Sequence, residues 1–540
     1  MKKAYLRELQ TQLLGSVTDN AHTLDYFSTD GSIFQITPSA VVYPANTADV
    51  RKTVSFAADR ARLGKPLGIT PRGMGTGTEG GAIGEGIELV TPAFMNKLLR
   101  LDRDTVTVQP GISFRTLQQT LHTHGRFIPS YPAAIDTATV GGAVASGIVG
   151  EKSVKYGPLR DQVTSLKVVL SDGSVIQTKR ITSRELNRKK GHSSLEGEIY
   201  RKVDSLLLDH PALIKKHFPQ TASNNAGYAL DKVRAKDGTF DLSALIIGSG
   251  GTLGVITEIT LRTVAYNPRT TLVVGYFGGA DKMTDAVAKL RALGPSALEM
   301  VDHNLLELVT LSRPGDLDGL LPDELPKYVV LVQFDDYSQL AQKLKCRRAE
   351  RIFAKFAKSY RTSQDPVEQL ALWKLRHASS AVISLMDTPA AIPVIDDAIV
   401  PTVHLASLLD KTNKLLKQNS LDDGLWGHAG TAHVRLGPAL DLAKKKDVDR
   451  IFSLTKEFHQ IIASCGGSPC GSEADGLLKS LYLKEIYGEE VLELFASVKH
   501  IFDPEDIFSP MHKTQATEEY SRAHLRDAYS LNHYDHIMFT

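Results

Sequence analysis

The sequence predicts an α+β protein with at least two domains, and three observations carry that prediction. The chain has 540 residues, 42% of them hydrophobic and 23% charged, enough for two or more substantial cores. Two glycine-dense turns, at 71–82 and 248–254, each sit between short strand-like apolar runs. Beyond about residue 265 the pattern becomes strand, helix, strand (271–276, 281–293 and 328–334), which predicts an antiparallel sheet carrying helices.

The elements follow in order. Residues 1–35 read as a short amphipathic helix and a lead-in, and Val41–Tyr43 as a strand ending at Pro44. Thr47 with Asp49 is expected to cap a helix running through Val54 and Ala58. Strand-like runs at 67–69, 89–90 and 106–108 precede a helix at 114–122. Residues 141–147 are almost all small, which suits either close helix packing or a wall against a flat, bulky ligand. Val163–Leu170 and Val175–Ile176 flank a turn containing Asp172-Gly173 and predict a hairpin. Residues 181–222 read as mostly polar helix, and 224–228 as a loop.

Composition narrows the function classes. A net charge of +2 and only short basic runs (188–190, 444–446) give no reason to expect a nucleic-acid partner. The N-terminus has two lysines but no apolar core of a signal peptide, and no apolar run approaches bilayer length. Cys346, Cys465 and Cys470 form neither a disulfide framework nor a metal-cage spacing. The expected location is the cytoplasm, with peripheral contact at the inner face of a membrane left open.

Pro71–Ala82 holds five glycines in twelve residues. Without Cβ atoms in the way, backbone N–H groups can approach a phosphate closely. The spacing is neither G-x-G-x-x-G nor a Walker loop, so taken alone the segment also fits a tight hairpin turn.

Several runs together are more specific. Pro71–Ala82, Thr139-Val140-Gly141-Gly142 with Tyr156–Asp161, and Gly248–Glu258 resemble, in order and spacing, the vanillyl-alcohol-oxidase/PCMH flavoproteins. Within that superfamily the chain is most similar to the FAD-linked D-2-hydroxyacid dehydrogenases: D-lactate dehydrogenase, the glycolate oxidase FAD subunit and D-2-hydroxyglutarate dehydrogenase. The runs Leu372–Arg376, Gly427–Gly430, Gly466–Ser468, Asp475-Gly476 and Phe502–Pro504 agree, so the resemblance spans about residues 30–513.

The resemblance implies a PCMH-type FAD-binding domain of two subdomains (36–265) and an α+β cap domain (266–513) whose last part returns to the first. A lead-in (1–35) and a C-terminal tail (514–540) flank them. It assigns the FAD contacts to Pro71, Arg72, Gly73, Met74, Gly75, Thr76, Gly77, Thr78, Gly81 and Ala82, with the pyrophosphate over Gly73–Thr78. Thr139, Val140, Gly141, Gly142, Ala145 and Ser146 would line the flavin and ribityl chain; Gly251, Gly254, Val255 and Ile256 the adenosine side. Pro132 and Ser509 complete the set.

For chemistry the resemblance implies oxidation of a small 2-hydroxy acid to the 2-oxo acid, with hydride passing to flavin N5. The substrate carboxylate would be held by Arg376, with Ser380 one helical turn further on. The family often binds a divalent metal through two histidines and a glutamate, followed by a histidine base. Here His428 is present, but Arg435 stands where the second histidine belongs. Ser472 and Glu473 replace the ligand glutamate and the base. Three readings remain, in order of preference. The site is metal-free, with His428 or Glu473 as base and Arg435 stabilising an alkoxide or a substrate anion. A shifted divalent-metal site uses His428, His433 and Glu473. Or the hydroxy-acid activity is lost, leaving a non-catalytic flavoprotein or an oxidase of a sugar or other alcohol. The tail after Pro504 has no cysteine-rich motif, so electrons are expected to leave to a separate quinone, electron-transfer protein or iron–sulfur protein.

Some members of the superfamily bond FAD to a histidine of the first loop, and residues 71–91 contain none. FAD is therefore expected to be non-covalent: acid precipitation should leave the protein colourless and the yellow flavin in the supernatant, as read by absorbance of the two fractions.

Overall fold

The computed structural model describes residues 3–313, 315–384, 390–421 and 424–529. Its first layer is a four-stranded sheet, ordered Ser16–Thr18, Ala40–Tyr43, Ile87–Val90, Ile69–Arg72. The last three strands run parallel, so the glycine loop crosses between adjacent parallel strands with no helix in the crossover. Helix Thr47–Arg62 buries Val50, Val54 and Ala57 in the core that also holds Ile69 and Leu89. Its cap differs from the expectation. Asn46 is the N-cap, accepting from the N–H groups of Ala48 and Asp49. Asp49 is instead buried and accepts from the N–H groups of Leu14, Gly15 and Ala45, tying the N-terminal segment down.

A second, five-stranded antiparallel sheet has the order Leu98–Leu101, Thr105–Val108, Val255–Arg262, Val163–Val169, Val175–Lys179. The hairpin expected at Asp172-Gly173 is there, with Gly173 at φ +79°. The small-residue run is a helix, Val140–Ser146, capped by the Thr139 side chain and ended by Gly147 in the left-handed region. Helix Lys484–Phe502 packs into this second core through Tyr487, Val491 and Phe495, so the chain returns to its first half.

Between these lies a seven-stranded antiparallel sheet: Ser359–Ser363, Thr271–Phe277, Tyr328–Phe334, Ala297–Asp302, Leu425–His428, His433–Leu436, Ala398–Ile399. Helices cover both faces. Alternate residues of one strand enter different cores, Val273 one and Leu272 and Val274 the other. That is why Thr271–Phe277 and Tyr328–Phe334 are apolar and buried along their whole length.

The return of the chain is fastened by a buried charge pair. Lys513 Nζ lies 3.0 Å from Asp475 Oδ2, with side chains 1% and 0% exposed, and it also donates to the Asn225 carbonyl. Removing one member strands the other charge in a dry interior, at a cost of about 3–5 kcal/mol. Lys513→Met should therefore lose about that much stability in thermal or denaturant unfolding, and Lys513→Met combined with Asp475→Leu should lose less.

Candidate active site

Three stretches far apart in sequence line one cleft: Pro71 to Gly73, Gly141, Gly142 and Ala145, and Gly251 with Gly254 to Ile256. Thr91, Pro110 and Ser249 complete the lining and were not foreseen. The walls approach so closely that side chains are excluded. A Cβ on Gly73 would come within 2.2 Å of Thr139 Oγ1, and one on Gly141 within 2.5 Å of Pro110 Cβ. Gly251, at φ +79°, packs on Pro71. Near it the buried Ser509 hydroxyl has no hydrogen-bond partner among the described residues. A narrow cradle of glycine backbone with an unclaimed buried hydroxyl fits a phosphate-bearing cofactor such as FAD.

Within the first loop the roles divide. Arg72 is expected at the cofactor, but its guanidinium is spent on the scaffold: Nη1 lies 2.9 Å from Glu88 Oε1, and the group donates to the carbonyls of Phe27, Thr29 and Ala82. Gly75 is left-handed (φ +70°), and a Cβ there would meet that guanidinium at 2.5 Å. The Thr76 and Gly77 carbonyls pack on Gly31, and Met74 is half-buried. Gly81 packs beside the Glu79 side chain. Glu79 accepts from Ser146 Oγ at 2.9 Å. Burial first, and then the nearby Glu473 charge, raise its pKa to about 8. Pro132 lies outside the cleft, half-buried beside Tyr131.

A second group gathers around the hairpin of Leu425–His428 and His433–Leu436. His428 stands directly opposite His433, and their rings stack at 5.2 Å. The neighbouring strand Ala297–Asp302 brings the fully buried Glu299 beside His428, with Nδ1 2.8 Å from Oε2 and 2.9 Å from Oε1. A carboxylate only accepts, so Nδ1 carries the proton and Nε2 is left as the acceptor of the neutral ring. Nε2 has no partner among the described residues. Arg376 Nε donates to the same Glu299 at 2.7 Å. Arg376 is thus a buried partner of Glu299, only 2% exposed. The side chain of Ser380 lies outside the described residues.

Around Arg435 sits a denser cluster. Its Nη2 donates to Asp396 Oδ2 (2.8 Å) and Glu473 Oε1 (2.9 Å), and the Thr78 hydroxyl of the first loop lies against both of those carboxylates, with one proton to give to either. Lys479 Nζ, almost wholly buried, is 3.2 Å from Asp396 Oδ1 and 3.6 Å from Asp397 Oδ2. Asp397 accepts the N–H groups of Gly471, Ser472 and Glu473 and lies 2.6 Å from His433 Nε2. Burial opposes ionisation of Asp397, but Lys479, His433 and Arg435 outweigh it and hold the carboxyl far below its usual range. Burial lowers the His433 pKa despite this partner. Arg435 keeps Nε and Nη1 without partners among the described residues, and its side chain is 22% exposed.

The shifted metal site does not fit this arrangement. His433 Nε2 is occupied by Asp397, and Glu473 by Arg435 and Thr78. Among the described residues no three His, Cys, Asp or Glu side chains gather as a metal cage. Glu473 is equally ill-placed as a base, because its oxygens already face Arg435 and Thr78. Sequence reasoning missed Glu299, Asp396, Asp397, Lys479 and Glu151. Their motif neighbours were visible, but Asp397, Glu299 and Glu151 pair with residues 36, 129 and 226 positions away.

Comparison with known proteins agrees with this geometry. Residues 38–179 match the FAD binding domain family, and residues 267–512 match the C-terminal domain of FAD linked oxidases. The chain carries both of these domains, and its cofactor is FAD. It is similar to the FAD-linked 2-hydroxyacid dehydrogenases. It is 29% identical to D-2-hydroxyglutarate dehydrogenase of Escherichia coli (strain K12) over 94% of this chain and 51% of that protein. It is 26% identical to glycolate oxidase subunit GlcD of Bacillus subtilis (strain 168) over 91% of this chain and 92% of that protein. It spans about half the length of the D-2-hydroxyglutarate dehydrogenases it matches. The solved structure of 4-ethylphenol oxidase from Gulosibacter chungangensis shares the fold, with a TM-score of 0.66 at 15% identity over 96% of this chain and 98% of that one.

Beside the His428 group, Glu151 pairs with His377 at 2.8 Å. Burial works against its ionisation, but the His377 hydrogen bond and nearby positive charges bring its pKa down to about 2 from 4.5. A depressed acid contributes stability that is complete above its unfolded value and is lost as pH falls through its folded one. Loss of stability on acidification from about pH 4.5 to pH 2 should therefore be smaller in Glu151→Gln than in the parent, as measured by thermal unfolding across that range.

Proposed function

We propose that the protein oxidises a small 2-hydroxy acid to the corresponding 2-oxo acid without a metal. The observation that carries this reading is the Glu299–His428 pair, which fixes the imidazole with Nε2 unclaimed among the described residues. His428 Nε2 takes the proton of the substrate hydroxyl. Glu299 sets the tautomer and stabilises the imidazolium that forms, and Arg376 holds Glu299 in its place. Arg435, with unclaimed donors on a partly exposed guanidinium, receives the substrate carboxylate. FAD, held by the glycine cradle, supplies the hydride acceptor at N5. A separate acceptor then takes the electrons; a quinone, an electron-transfer protein or an iron–sulfur protein would each serve.

Anaerobic addition of D-lactate, glycolate or D-2-hydroxyglutarate should bleach the visible band of the oxidised flavin. If none does and a sugar or simple alcohol bleaches it, the substrate class is wrong; if nothing does, the protein is a non-catalytic flavoprotein. His428→Ala should slow flavin reduction about a hundredfold to ten-thousandfold, the usual range for loss of a general base. Arg435→Met should raise KM for the acid more than it lowers kcat.

A further inference from the structure

Helix Gln339–Phe356 has two unlike faces. Gln342, Cys346, Ala349 and Phe353 are buried beneath it. Leu340, Lys343, Leu344, Arg347, Arg348 and Arg351 are exposed, and their spacing of three and four places them in one stripe on the opposite side. Leu340 is 68% exposed, Leu344 47%, and Tyr337 just before the helix 65%. The stripe is apolar at its start and basic along the next two turns.

Its charge is not compensated locally. The ion pairs found here draw the acids inward or elsewhere: Asp336 holds Lys345, Asp335 holds Lys155, and Glu350 accepts from Thr362. Among the described residues Lys343, Arg347, Arg348 and Arg351 have no ion-pair partner. The adjacent helix Ala280–Arg291 carries Asp281 and Asp285 together with Lys282, Lys289 and Arg291, so it adds no net negative charge. An ordinary solvated face mixes both signs and keeps large apolar side chains inside. Large apolar residues at one end of an unpaired basic stripe are what a helix lying in a lipid headgroup layer presents.

We propose that this face docks on an anionic phospholipid surface. Tyr337, Leu340 and Leu344 enter the boundary between headgroups and acyl chains, and Lys343, Arg347, Arg348 and Arg351 face the lipid phosphates. The helix is about 27 Å long and lies along the surface rather than across it. Docking there would hold the enzyme beside any acceptor dissolved in the bilayer. No catalytic residue belongs to this face, so docking does not depend on the substrate oxidised.

The test is co-sedimentation of the full-length FAD-loaded protein with phosphatidylcholine vesicles, with and without phosphatidylglycerol. Binding is expected only with phosphatidylglycerol, and it should weaken as salt is raised. Lys343→Gln with Arg347→Gln should weaken it by about fivefold per charge removed, with an unchanged flavin spectrum as the control for folding. Leu340→Ser should weaken binding without changing its salt dependence. Equal binding to both vesicle types, no binding to phosphatidylglycerol vesicles at low salt, or binding unchanged in the double variant would each overturn the proposal; the last two would leave the stripe to an acidic protein partner.

Discussion

The arrangement of the site depends on one buried charge cluster. Arg435 of the cap sheet, Asp396 at its edge, Glu473 and Lys479 of the returning chain, and Thr78 of the first glycine loop all meet within hydrogen-bonding or ion-pair distance. Three segments that share no strand are thereby held at one point. Positive and negative groups are nearly balanced there, which is what makes so many charges tolerable out of water. Asp397 extends the cluster by gathering three consecutive backbone N–H groups and the His433 ring. The turn carrying Glu473 and the hairpin carrying His428 are in this way fixed relative to each other.

The same cluster explains why the chain departs from its family's metal pattern without leaving a hole. Where the resemblance leads one to expect donors converging on a cation, two side-chain cations are built in, each already surrounded by carboxylates. The base proposed above lies beside it, in the Glu299–His428 pair. There one carboxylate serves an arginine on one side and an imidazole on the other. A ring fixed through Nδ1 presents Nε2 in one orientation, and that removes the freedom a solvent-exposed histidine would have.

Much of this was legible in the sequence, for definite reasons. Glycines that must take φ above zero or let two walls touch leave a mark no other residue can replace, so the three stretches that line the cleft were found. The apolar runs 271–276 and 328–334 announced strands covered on both faces. Local patterns failed where a side chain is recruited from a distance. Thr78 and Glu473 lie 395 positions apart and His428 and Glu299 129, and nothing in either neighbourhood names the other. Arg72 lines the cleft as expected, but its pairing with Glu88, sixteen positions on, was not visible. Thr47 misled by a single position, since Asn46 offers the better-placed capping oxygen.

That inward arginine bears on how tightly FAD is held. Arg72 joins Glu88 on the adjacent strand to the carbonyls of Phe27, Thr29 and Ala82, and thus braces both ends of the glycine loop from beneath. Loops of bare glycine are the most costly backbone to immobilise. Here part of that ordering is borne by the chain's own charge pair and carbonyls, which lessens the entropic cost left for FAD binding to meet.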